Sequence, residues 1–464
     1  MSWIEASAMV ETYDVVICGA GIAGISAAYY LSAHHGINNI LLVDGRAPLS
    51  LTSDKSTECY RNWWPGPGNA MVALMNRSID LLDRLAEESG NIFNLNRRGY
   101  LYLTGNAERI SEFQMAAREP SELGAGSVRV HDGRPGASPY IPSRPEGFKG
   151  VPSGADLLLD PAVLFDHFPY LNRETIAGLH VRRAGWFSAQ QLGAYLLGQV
   201  RARGVKYLQT RVAGVDVVQG RVDAVCMQDG SLVATRNFVN AAGPLLGDVG
   251  GLLGLELPVF NELHLKVAIK DQLGVIPRDA PLLIWSDPQY LSWSSEEREL
   301  LGSDPESRWL LDRLPPGVHA RPEGGPDSPV VLMLWEYRIK EMQPIWPLPL
   351  DPDYPEIALR GLAKMIPGLR AYFGRLPHPV LDGGYYTKTR ENRPLIGPLP
   401  VKGAYLIGAL SGYGLMASQA AGDLLARHIA GADLPDYTPD FLLERYHDPV
   451  YVKQLETWGE TGQL

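Results

Sequence analysis

The sequence has few cysteines, no long apolar run and no cluster of positive charge, and each shortage excludes a class of protein. Its three cysteines, Cys18, Cys59 and Cys226, stand far apart and in no metal-ligand spacing. We therefore expect free thiols, with neither structural disulfides nor a bound metal. No apolar run reaches membrane-spanning length, and residues 1–12 lack the basic and apolar regions of a secretory signal. The net charge of -10, without any Lys/Arg run, disfavours nucleic-acid and membrane partners. From the cysteine usage and the lack of a signal or membrane-spanning segment, we expect a cytoplasmic protein.

The chain does have the length and composition of a globular protein, and its N-terminal part carries a nucleotide-binding pattern. With 464 residues, 45% of them hydrophobic, it can bury two sizeable cores. Val15-Val16-Ile17-Cys18 predicts a strand buried in a parallel sheet. The glycines that follow have the GxGxxG spacing, which allows a tight turn, a close approach of a pyrophosphate and close packing of helix on strand; they are Gly19, Gly21 and Gly24.

The residues after this turn complete a βαβ unit. A helix is predicted from Ile22 to His34 and is ended by Gly36, and its first amides are suited to hold phosphate. A second strand over Ile40–Val43 leads to Asp44, at the position of a ribose-binding carboxylate. Asp44 should repel a 2′-phosphate, which favours FAD or NAD over NADP.

A second glycine-rich turn lies near the C-terminus and favours a flavin. A strand over Tyr405–Ile407 runs into Gly408 and Ser411-Gly412-Tyr413-Gly414, and a helix is predicted over Met416–Ile429. The amides of this turn would point at an electron-rich group, as the flavin N1 and C2 carbonyl require. The glycines of residues 243–254 lack GxGxxG spacing, so we expect no separate nicotinamide site and a substrate that reduces the flavin directly.

Four elements in this order resemble the FAD-dependent oxidoreductases of the D-amino-acid oxidase, sarcosine oxidase and dimethylglycine dehydrogenase group. They are GAGIAG with Asp44, VNAAGP at 239–244, RENRPLIGP at 390–398, and SGYGLM with its helix. The resemblance implies an α/β fold: a Rossmann-like FAD-binding domain of the glutathione-reductase-like, D-amino-acid oxidase type, with an inserted antiparallel-sheet substrate domain. The implied FAD domain comprises residues 1–95, 165–255 and 380–440; the substrate domain comprises 96–164 and 256–379; and 441–464 is a C-terminal tail on the surface.

Strands of the substrate domain are expected at Tyr100–Thr104, His264–Lys270 and Val330–Tyr337, in an antiparallel sheet. Two Pro/Gly-rich stretches, Gly124–Gly154 and Ser286–Pro329, show no clear periodicity. Long loops of this kind in a compact enzyme are usually functional lids or disordered excursions.

The resemblance also implies the residues that hold FAD. They are Gly19, Gly21, Ile22, Ala23, Gly24, Asp44, Gly45, Arg46, Ser56, Thr57, Val212, Ala242, Gly243, Gly408, Gly412, Tyr413, Gly414, Leu415 and Met416. Some members of the group tether flavin through a cysteine where this chain has Gly384, and others through an N-terminal histidine that is also missing here. We therefore expect FAD to be bound noncovalently.

Arg61 is the candidate anchor for a substrate carboxylate, at the position where the sarcosine oxidases supply an arginine. A guanidinium holds a carboxylate through two hydrogen bonds. Other positions depart from the group, because Met416 and Met333 replace lysines and Tyr386 replaces an arginine of glycine oxidase-like members. Tyr337 stands where the sarcosine oxidases have a histidine. One of the two side chains that bind the substrate carboxylate in the sarcosine oxidases is thus missing, and fast reduction of O2 is in doubt.

An aromatic pocket for a cation or an apolar group is expected around the substrate. Its candidates are Tyr60, Trp63, Trp64, Trp335, Tyr337 and Tyr386. Trp63 and Trp64 are interpreted either as core residues or as a pocket wall beside Arg61. Tyr337 and Tyr386 are candidate hydrogen-bond donors to substrate, and His264 is a candidate catalytic residue at a position where related dehydrogenases have a histidine. No dedicated base is evident in the sequence.

The expected activity is oxidation of the C–N bond of a small amine, an N-substituted or D-amino acid, by hydride transfer to flavin N5. Water then hydrolyses the imine, and electrons pass to O2 or to an electron-carrier protein. Two alternatives stay open: a 2-hydroxy acid substrate, which Arg61 would also suit, and a catalytically silent FAD-binding subunit of a larger complex.

Overall fold

The computed structural model describes residues 11–136, 138–456 and 458. They form two compact units. Unit 1 contains residues 11–54, Ala189–Asn261 and the described chain from Tyr386 onward; unit 2 contains Lys55–Ser188 and Glu262–Tyr385. The helix-bearing stretch 55–95 thus belongs to unit 2, although the resemblance implied that it is part of the FAD domain.

The elements are short and numerous. The strands are β1 (Glu11–Tyr13), β2 (Val15–Cys18), β3 (Ile40–Asp44), β4 (Cys59–Arg61), β5 (Tyr100–Thr104), β6 (Val128–His131), β7 (Ala155–Leu158), β8 (Ala177–Val181), β9 (Ala184–Trp186), β10 (Lys206–Gln209), β11 (Val212–Val218), β12 (Arg221–Met227), β13 (Leu232–Thr235), β14 (Phe238–Asn240), β15 (Phe260–Lys270), β16 (Leu282–Trp285), β17 (Val318–Pro322), β18 (Val330–Leu334), β19 (Val380–Lys388), β20 (Leu395–Pro398) and β21 (Ala404–Gly408). The helices are α1 (Ile22–His35), α2 (Ala70–Ser89), α3 (Ile110–Pro120), α4 (Pro161–His167), α5 (Ala189–Ala202), α6 (Leu246–Gly251), α7 (Ser295–Ser303), α8 (Tyr354–Met365), α9 (Gly414–Ala430) and α10 (Pro449–Leu455).

Unit 1 is built on a six-stranded sheet in the order β10-β3-β2-β14-β21-β20. The first five strands run parallel and β20 is antiparallel to β21. The β2 and β3 strands are buried along almost their whole length, as their continuous apolar sequence predicts. A second sheet, β1-β13-β12-β11, contains a hairpin of β11 and β12 whose turn falls at Gln219-Gly220. The six-stranded sheet with its helices is the nucleotide-binding half of the expected fold.

Unit 2 contains a nine-stranded sheet in the order β19-β15-β18-β17-β16-β5-β8-β7-β6. It is mainly antiparallel, with two parallel pairs, β16 with β5 and β6 with β7. Alternate side chains on its strands, such as Leu283, Ala320 and Met333, form one apolar core with the buried face of α8. The intervening side chains face the other side of the sheet, which is the side that carries the candidate substrate cavity.

The two stretches predicted as loops contain regular structure. Ser286–Pro329 includes α7, whose capping box joins Ser294 and Glu297, and β17, which pairs with β16 and β18. Gly124–Gly154 includes β6, which pairs with β7. The expectation of lids or disordered excursions was wrong for Ser286–Pro329, where β17 is a strand of only five residues that carries a buried histidine and a buried arginine and ends in proline. In Gly124–Gly154 the described residues after β6 form no helix or strand, so the expectation of a loop is not contradicted there.

No helix in the described part of the chain is long and apolar enough to span a membrane. Among the same residues, no group of three or more His, Cys, Asp or Glu side chains is arranged to hold a metal ion.

Candidate active site

The predicted cofactor residues of unit 1 follow the carboxyl ends of β2, β3, β14 and β21. These four strands are parallel, so their carboxyl ends meet at one edge of the sheet. The edge carries the segments 19–24, 44–46, 242–243 and 408–416. Val212 begins β11 next to Arg211, whose side chain packs against Gly45. We call these segments the cofactor edge.

The first glycine turn is packed too closely for any side chain. A Cβ on Gly24 would lie 1.9 Å from the carbonyl oxygen of Gly19, and Gly19 itself has a φ of +116°. The carboxylate of Asp44 reaches this turn, because its Oδ2 accepts from the amide of Ala20 at 2.8 Å. Its Oδ1 accepts from the amide of Arg46 at 2.9 Å. The acidic group is therefore fixed beside the glycine turn.

The second glycine turn lies one strand away, across β14, and begins α9. Helices α1 and α9 pack side by side: Gln419 Nε2 donates to Ser26 Oγ at 3.0 Å, and a Cβ on Gly422 would lie 2.8 Å from the backbone of Ser26. Tyr386 covers this turn, because a Cβ on Gly412 would lie 2.7 Å from its ring. The hydroxyl of Tyr413 donates to the carbonyl of Asn392 at 2.9 Å, which holds the turn in place.

The chemistry of the cofactor edge fits FAD. Within the described chain, neither the N-cap residue of α1, Gly21, nor that of α9, Tyr413, caps its helix with a side chain. The hydroxyl of Ser53 accepts from the amide of Ile22 at 3.0 Å. The remaining amides at two neighbouring helix starts suit a pyrophosphate and an electron-rich ring edge. Ser53 was not predicted, since no motif marks it.

Ser56 and Thr57, also predicted to hold the cofactor, belong to unit 2. The hydroxyl of Ser56 accepts from the amide of Glu58 at 3.0 Å. The carbonyl of Thr57 accepts from Arg321 Nε at 2.7 Å. Their role at the cofactor stays a prediction.

Arg61 lies in the wall of a cavity of about 390 Å³ in unit 2. It ends β4, which is anchored by antiparallel pairing with β9. The side chain is only 5% exposed. Its guanidinium carbon lies 4.7 Å from the ring of Trp64 and 5.5 Å from that of Tyr100, and its Nε donates to the carbonyl of Trp63 at 3.2 Å. These contacts fix the guanidinium in a single orientation at the cavity.

The adjacent tryptophans have different positions. Trp63 lines the cavity, and its Nε1 donates to the carbonyl of Ala116 on α3 at 2.9 Å. Trp64 is fully buried and stacks on Arg61. The two tryptophans therefore differ: Trp63 is part of the cavity wall, and Trp64 is a core residue that packs behind the Arg61 guanidinium.

The rest of the cavity comes from the sheet and from α3. Tyr102, Ile284 and Leu179 supply the sheet side, and Phe113 supplies an apolar contact from α3. Three charged residues of the lining were missed by sequence analysis; they are Arg109, Glu112 and Glu119. Arg109 is paired with Glu112 at 2.8 Å and with Asp287 at 3.4 Å. The amphipathic pattern of residues 110–120 could have indicated α3, but nothing in it indicates a cavity.

His264 lies between two carboxylates. Its Nδ1 is 2.8 Å from Glu336 Oε1, and its Nε2 is 3.1 Å from Glu262 Oε2. Burial favours the neutral ring, but the charge of Glu336 and the hydrogen bonds to both carboxylates outweigh it and raise the pKa of His264. An imidazolium that donates from both nitrogens has no lone pair with which to accept a substrate proton. This geometry therefore offers no support for His264 as a base.

The structure does not bring the other predicted aromatic residues to the Arg61 cavity. Tyr337 is stacked between Trp309 and Tyr354, with centroid distances of 5.7 Å to each. Trp335 packs against Gly361 of α8 in the apolar core. Burial raises the pKa of the Tyr337 hydroxyl, and that hydroxyl has no hydrogen-bond partner among the described residues. Tyr337 and Trp335 follow β18 on its core side, so a role at the cavity finds no support in this geometry.

The chain matches known proteins over most of its length. A family model described as FAD dependent oxidoreductase (DAO) matches residues 14–428. The chain is 25% identical over 319 residues to mitochondrial dimethylglycine dehydrogenase of Rattus norvegicus, which covers 66% of this chain and 33% of that protein. It is 24% identical over 458 residues to FAD-dependent oxidoreductase domain-containing protein 1 of Bos taurus, covering 90% and 81% of the two chains. The chain thus spans about a third of the length of the first of these relatives.

Solved structures share the fold. L-proline dehydrogenase from P. horikoshii has a TM-score of 0.71 at 20% identity, covering 96% of this chain and 99% of that one. Glycine oxidase from Geobacillus kaustophilus has a TM-score of 0.70 at 15% identity, covering 93% and 98%. The predicted fold class, family and FAD cofactor are confirmed by these comparisons, and the noncovalent attachment stays a prediction. The chain belongs to the FAD dependent oxidoreductase family.

Proposed function

We propose that this oxidoreductase oxidises the C–N bond of a small amine that carries a carboxylate, an N-substituted or D-amino acid. The observation that carries the proposal is the buried guanidinium of Arg61 in the wall of a cavity whose other contacts are largely apolar. The cavity volume of about 390 Å³ lies near the lower end of the range for ligand pockets, about 300–1,000 Å³. A small amino acid suits such a space better than an extended substrate does.

The residues at the cavity have separable tasks. Arg61 binds the carboxylate, because a fixed fork of N–H donors matches both of its oxygens. Trp63 lines the cavity, and an indole ring can attract an ammonium or an N-methyl group. Arg109 is already neutralised by Glu112 and Asp287, so it contributes less to anion binding than Arg61 does. Bound FAD supplies a two-electron acceptor for the hydride that leaves the carbon next to nitrogen.

The relatives support an amine substrate, since dimethylglycine dehydrogenase of Rattus norvegicus and sarcosine oxidase subunit beta of Rhodobacter capsulatus are both named for N-methylated amino acids. The electron acceptor, O2 or a carrier protein, is left open by the departures at Met333 and Tyr337. The second of these relatives is named as a subunit of an oxidase, so a catalytically silent FAD-binding subunit of a larger complex is the second candidate. A 2-hydroxy acid is a third candidate because it would offer Arg61 the same carboxylate.

Anaerobic mixing of the purified holoprotein with a panel of substrates separates these candidates. The panel contains sarcosine, dimethylglycine, glycine, proline, D-alanine and lactate. Bleaching of the flavin band at about 450 nm by one or more of the amines supports the proposal. Bleaching by lactate alone favours the hydroxy acid, and bleaching by none of the panel favours the silent subunit.

A further inference from the structure

His319 lies in the same row of side chains as the three sheet residues that line the Arg61 cavity. Four neighbouring strands, β8, β5, β16 and β17, carry a row of directly opposed residues across the sheet. In that order they are Leu179, Tyr102, Ile284 and His319. The first three line the cavity. Directly opposed residues of adjacent strands lie on the same face, at a strand spacing of about 4.8 Å. His319 is therefore the next side chain in this row, beside the cavity.

The hydrogen bonding of His319 leaves one nitrogen able to accept a proton. Its Nδ1 lies 2.8 Å from the carbonyl oxygen of Gly317, itself a cavity-lining residue. A carbonyl oxygen only accepts, so Nδ1 carries the hydrogen and Nε2 carries the lone pair of the neutral ring. Within the part of the chain that the structure describes, no group donates a hydrogen bond to that lone pair.

The surroundings of His319 keep the ring neutral. It is 3% exposed, and burial lowers its pKa, with a smaller contribution in the same direction from the charge of Arg61. The Gly317 carbonyl and the carboxylate of Glu336 oppose this shift without reversing it. Glu336 is paired with His264 at 2.8 Å. Beyond Ile284 in the same row stands Tyr102, whose hydroxyl is also neutral because burial raises its pKa. The two histidines near Glu336 thus differ: both nitrogens of His264 lie against carboxylates, which raise its pKa, whereas burial lowers the pKa of His319.

We propose that His319 is the proton acceptor of this enzyme, the group that converts the bound substrate ammonium into the free amine. In this step an N–H bond of the ammonium breaks and its electron pair stays on nitrogen as the lone pair. The proton forms a bond to His319 Nε2, and the resulting imidazolium releases it to solvent after turnover. The inference rests on the proposed amine oxidation, which requires a nitrogen lone pair before hydride can leave the adjacent carbon.

Two variants separate proton transfer from packing. His319→Asn retains an amide N–H near the Nδ1 position, able to bond the Gly317 carbonyl, and removes Nε2. His319→Gln places an amide near the Nε2 position, where it can accept a hydrogen bond but not a proton. We expect the rate constant of anaerobic flavin reduction at about pH 7 to fall about 100-fold in both variants, a typical share for general base catalysis.

The pH profile of the same rate constant is the decisive readout. At about pH 10 a large part of the substrate is already the free amine, so the deficit of both variants should shrink to less than about fivefold. An equal loss at every pH, full activity of His319→Gln at about pH 7, or no loss in either variant would each overturn the proposal. If the wild-type protein is not reduced by any amine, the proposed function itself fails, which is a different result.

A spectroscopic measurement tests the same assignment without turnover. In the holoprotein labelled with ¹⁵N-histidine, the signals lost in His319→Asn identify His319. We expect them to report an Nδ1–H ring with an unprotonated Nε2 at about pH 7. An Nε2–H tautomer or an imidazolium at that pH would refute the role of Nε2 as acceptor.

Discussion

The residues next to Arg61 hold its guanidinium in place. The guanidinium is held by the Trp64 ring on one side and by the Trp63 carbonyl at its Nε, so it would lose little further freedom on binding the proposed carboxylate. Burial also strengthens a charge-assisted hydrogen bond relative to one in water. The proposed anchor therefore depends on three nearby positions, 61, 63 and 64, rather than on one.

The Arg61→Met variant tests this anchor. We expect kcat/KM to fall about 10- to 100-fold for substrates with a carboxylate, because one charge-assisted interaction worth about 1.5–3 kcal/mol is lost. The carboxamide analogue of the same substrate should lose less than about threefold, since it carries no negative charge. Steady-state kinetics on the matched acid and amide provide the measurement.

Arg61→Lys is the control for charge alone. A lysine retains the positive charge without the two-pronged donor geometry, so part of the loss should persist on the acid. Equal losses on acid and amide in Arg61→Met would contradict the anchor role and indicate a packing role beneath Trp64.

At the level of single residues, the sequence indicated Arg61 and Trp63 but misplaced others. Trp335 and Tyr337 follow β18 on the core side, whereas Glu336, between them, faces His264. Successive side chains of a strand point to opposite faces of the sheet, so a shift of one position changes which residue reaches a site. The motifs that carry the family resemblance do not fix which residues of β18 face the cavity side. His319 was missed because it lies in a stretch that was interpreted as a loop.

At the level of elements, the predicted βαβ unit agrees with the structure to within one residue at each boundary. The predicted helix 22–34 is observed as Ile22–His35, and the predicted strand 40–43 as Ile40–Asp44. Local signals suffice here, since the glycine turn, the helix and the continuous apolar strands are contiguous in the chain. By contrast, β17 is defined by its pairing with β16 and β18, which sequence periodicity does not contain.

Gly24→Ala tests the close approach within this unit. A methyl group 1.9 Å from the Gly19 carbonyl has no room, so α1 must move away from the turn. We expect a loss of about 3 kcal/mol in stability and a loss of bound FAD on purification. The measurement is the ratio of flavin absorbance to protein, together with the melting temperature.

Gly198→Ala is the matched control in another helix of unit 1. Gly198 lies in α5, and an added Cβ meets nothing within 4 Å. This variant should bind FAD fully and be more stable by about 0.5–1 kcal/mol, because alanine favours the helix. If Gly24→Ala behaves like Gly198→Ala, the packing explanation of the motif is wrong.

At the level of the whole molecule, the C-terminal segment contributes to the core of unit 1. The sequence suggested a surface tail over 441–464, but Arg445 is only 6% exposed and donates to Glu391 Oε1 at 2.7 Å. The hydroxyls of Tyr446 and Tyr451 donate to the same oxygen, at 2.8 and 2.9 Å. A tail rich in aromatic and charged residues gave no signal of its partner, because Glu391 lies more than fifty positions away in the chain.

Arg445→Met tests this contact. Burial alone would raise the pKa of Glu391, but the charge of Arg445 and the bonded groups outweigh burial and lower it. Removing Arg445 leaves a buried carboxylate without its counter-ion, at an expected cost of about 3–5 kcal/mol at about pH 7. The double variant Glu391→Gln with Arg445→Met should recover part of that loss, which thermal unfolding measures.

The pH dependence of this contact has a defined sign. Because the folded pKa of Glu391 is lowered, the stabilisation is complete above its ordinary value and is lost as the pH falls through the folded value. The difference between wild type and Arg445→Met should therefore narrow on acidification from about pH 7 to about pH 4, since the orphaned carboxyl of the variant can take up a proton. A difference that is constant over this range would exclude the ion pair as its cause.

Oxidation of a C–N bond by this chain is tested by a single anaerobic turnover of the holoprotein with an acyclic amine that bleaches its flavin, followed by mass spectrometry of the products. We expect one equivalent of a carbonyl compound and one of released amine or ammonia for each FAD reduced, because water hydrolyses the imine. Reduction of FAD without release of the nitrogen, or reduction only by a 2-hydroxy acid with formation of its keto acid, would exclude amine oxidation.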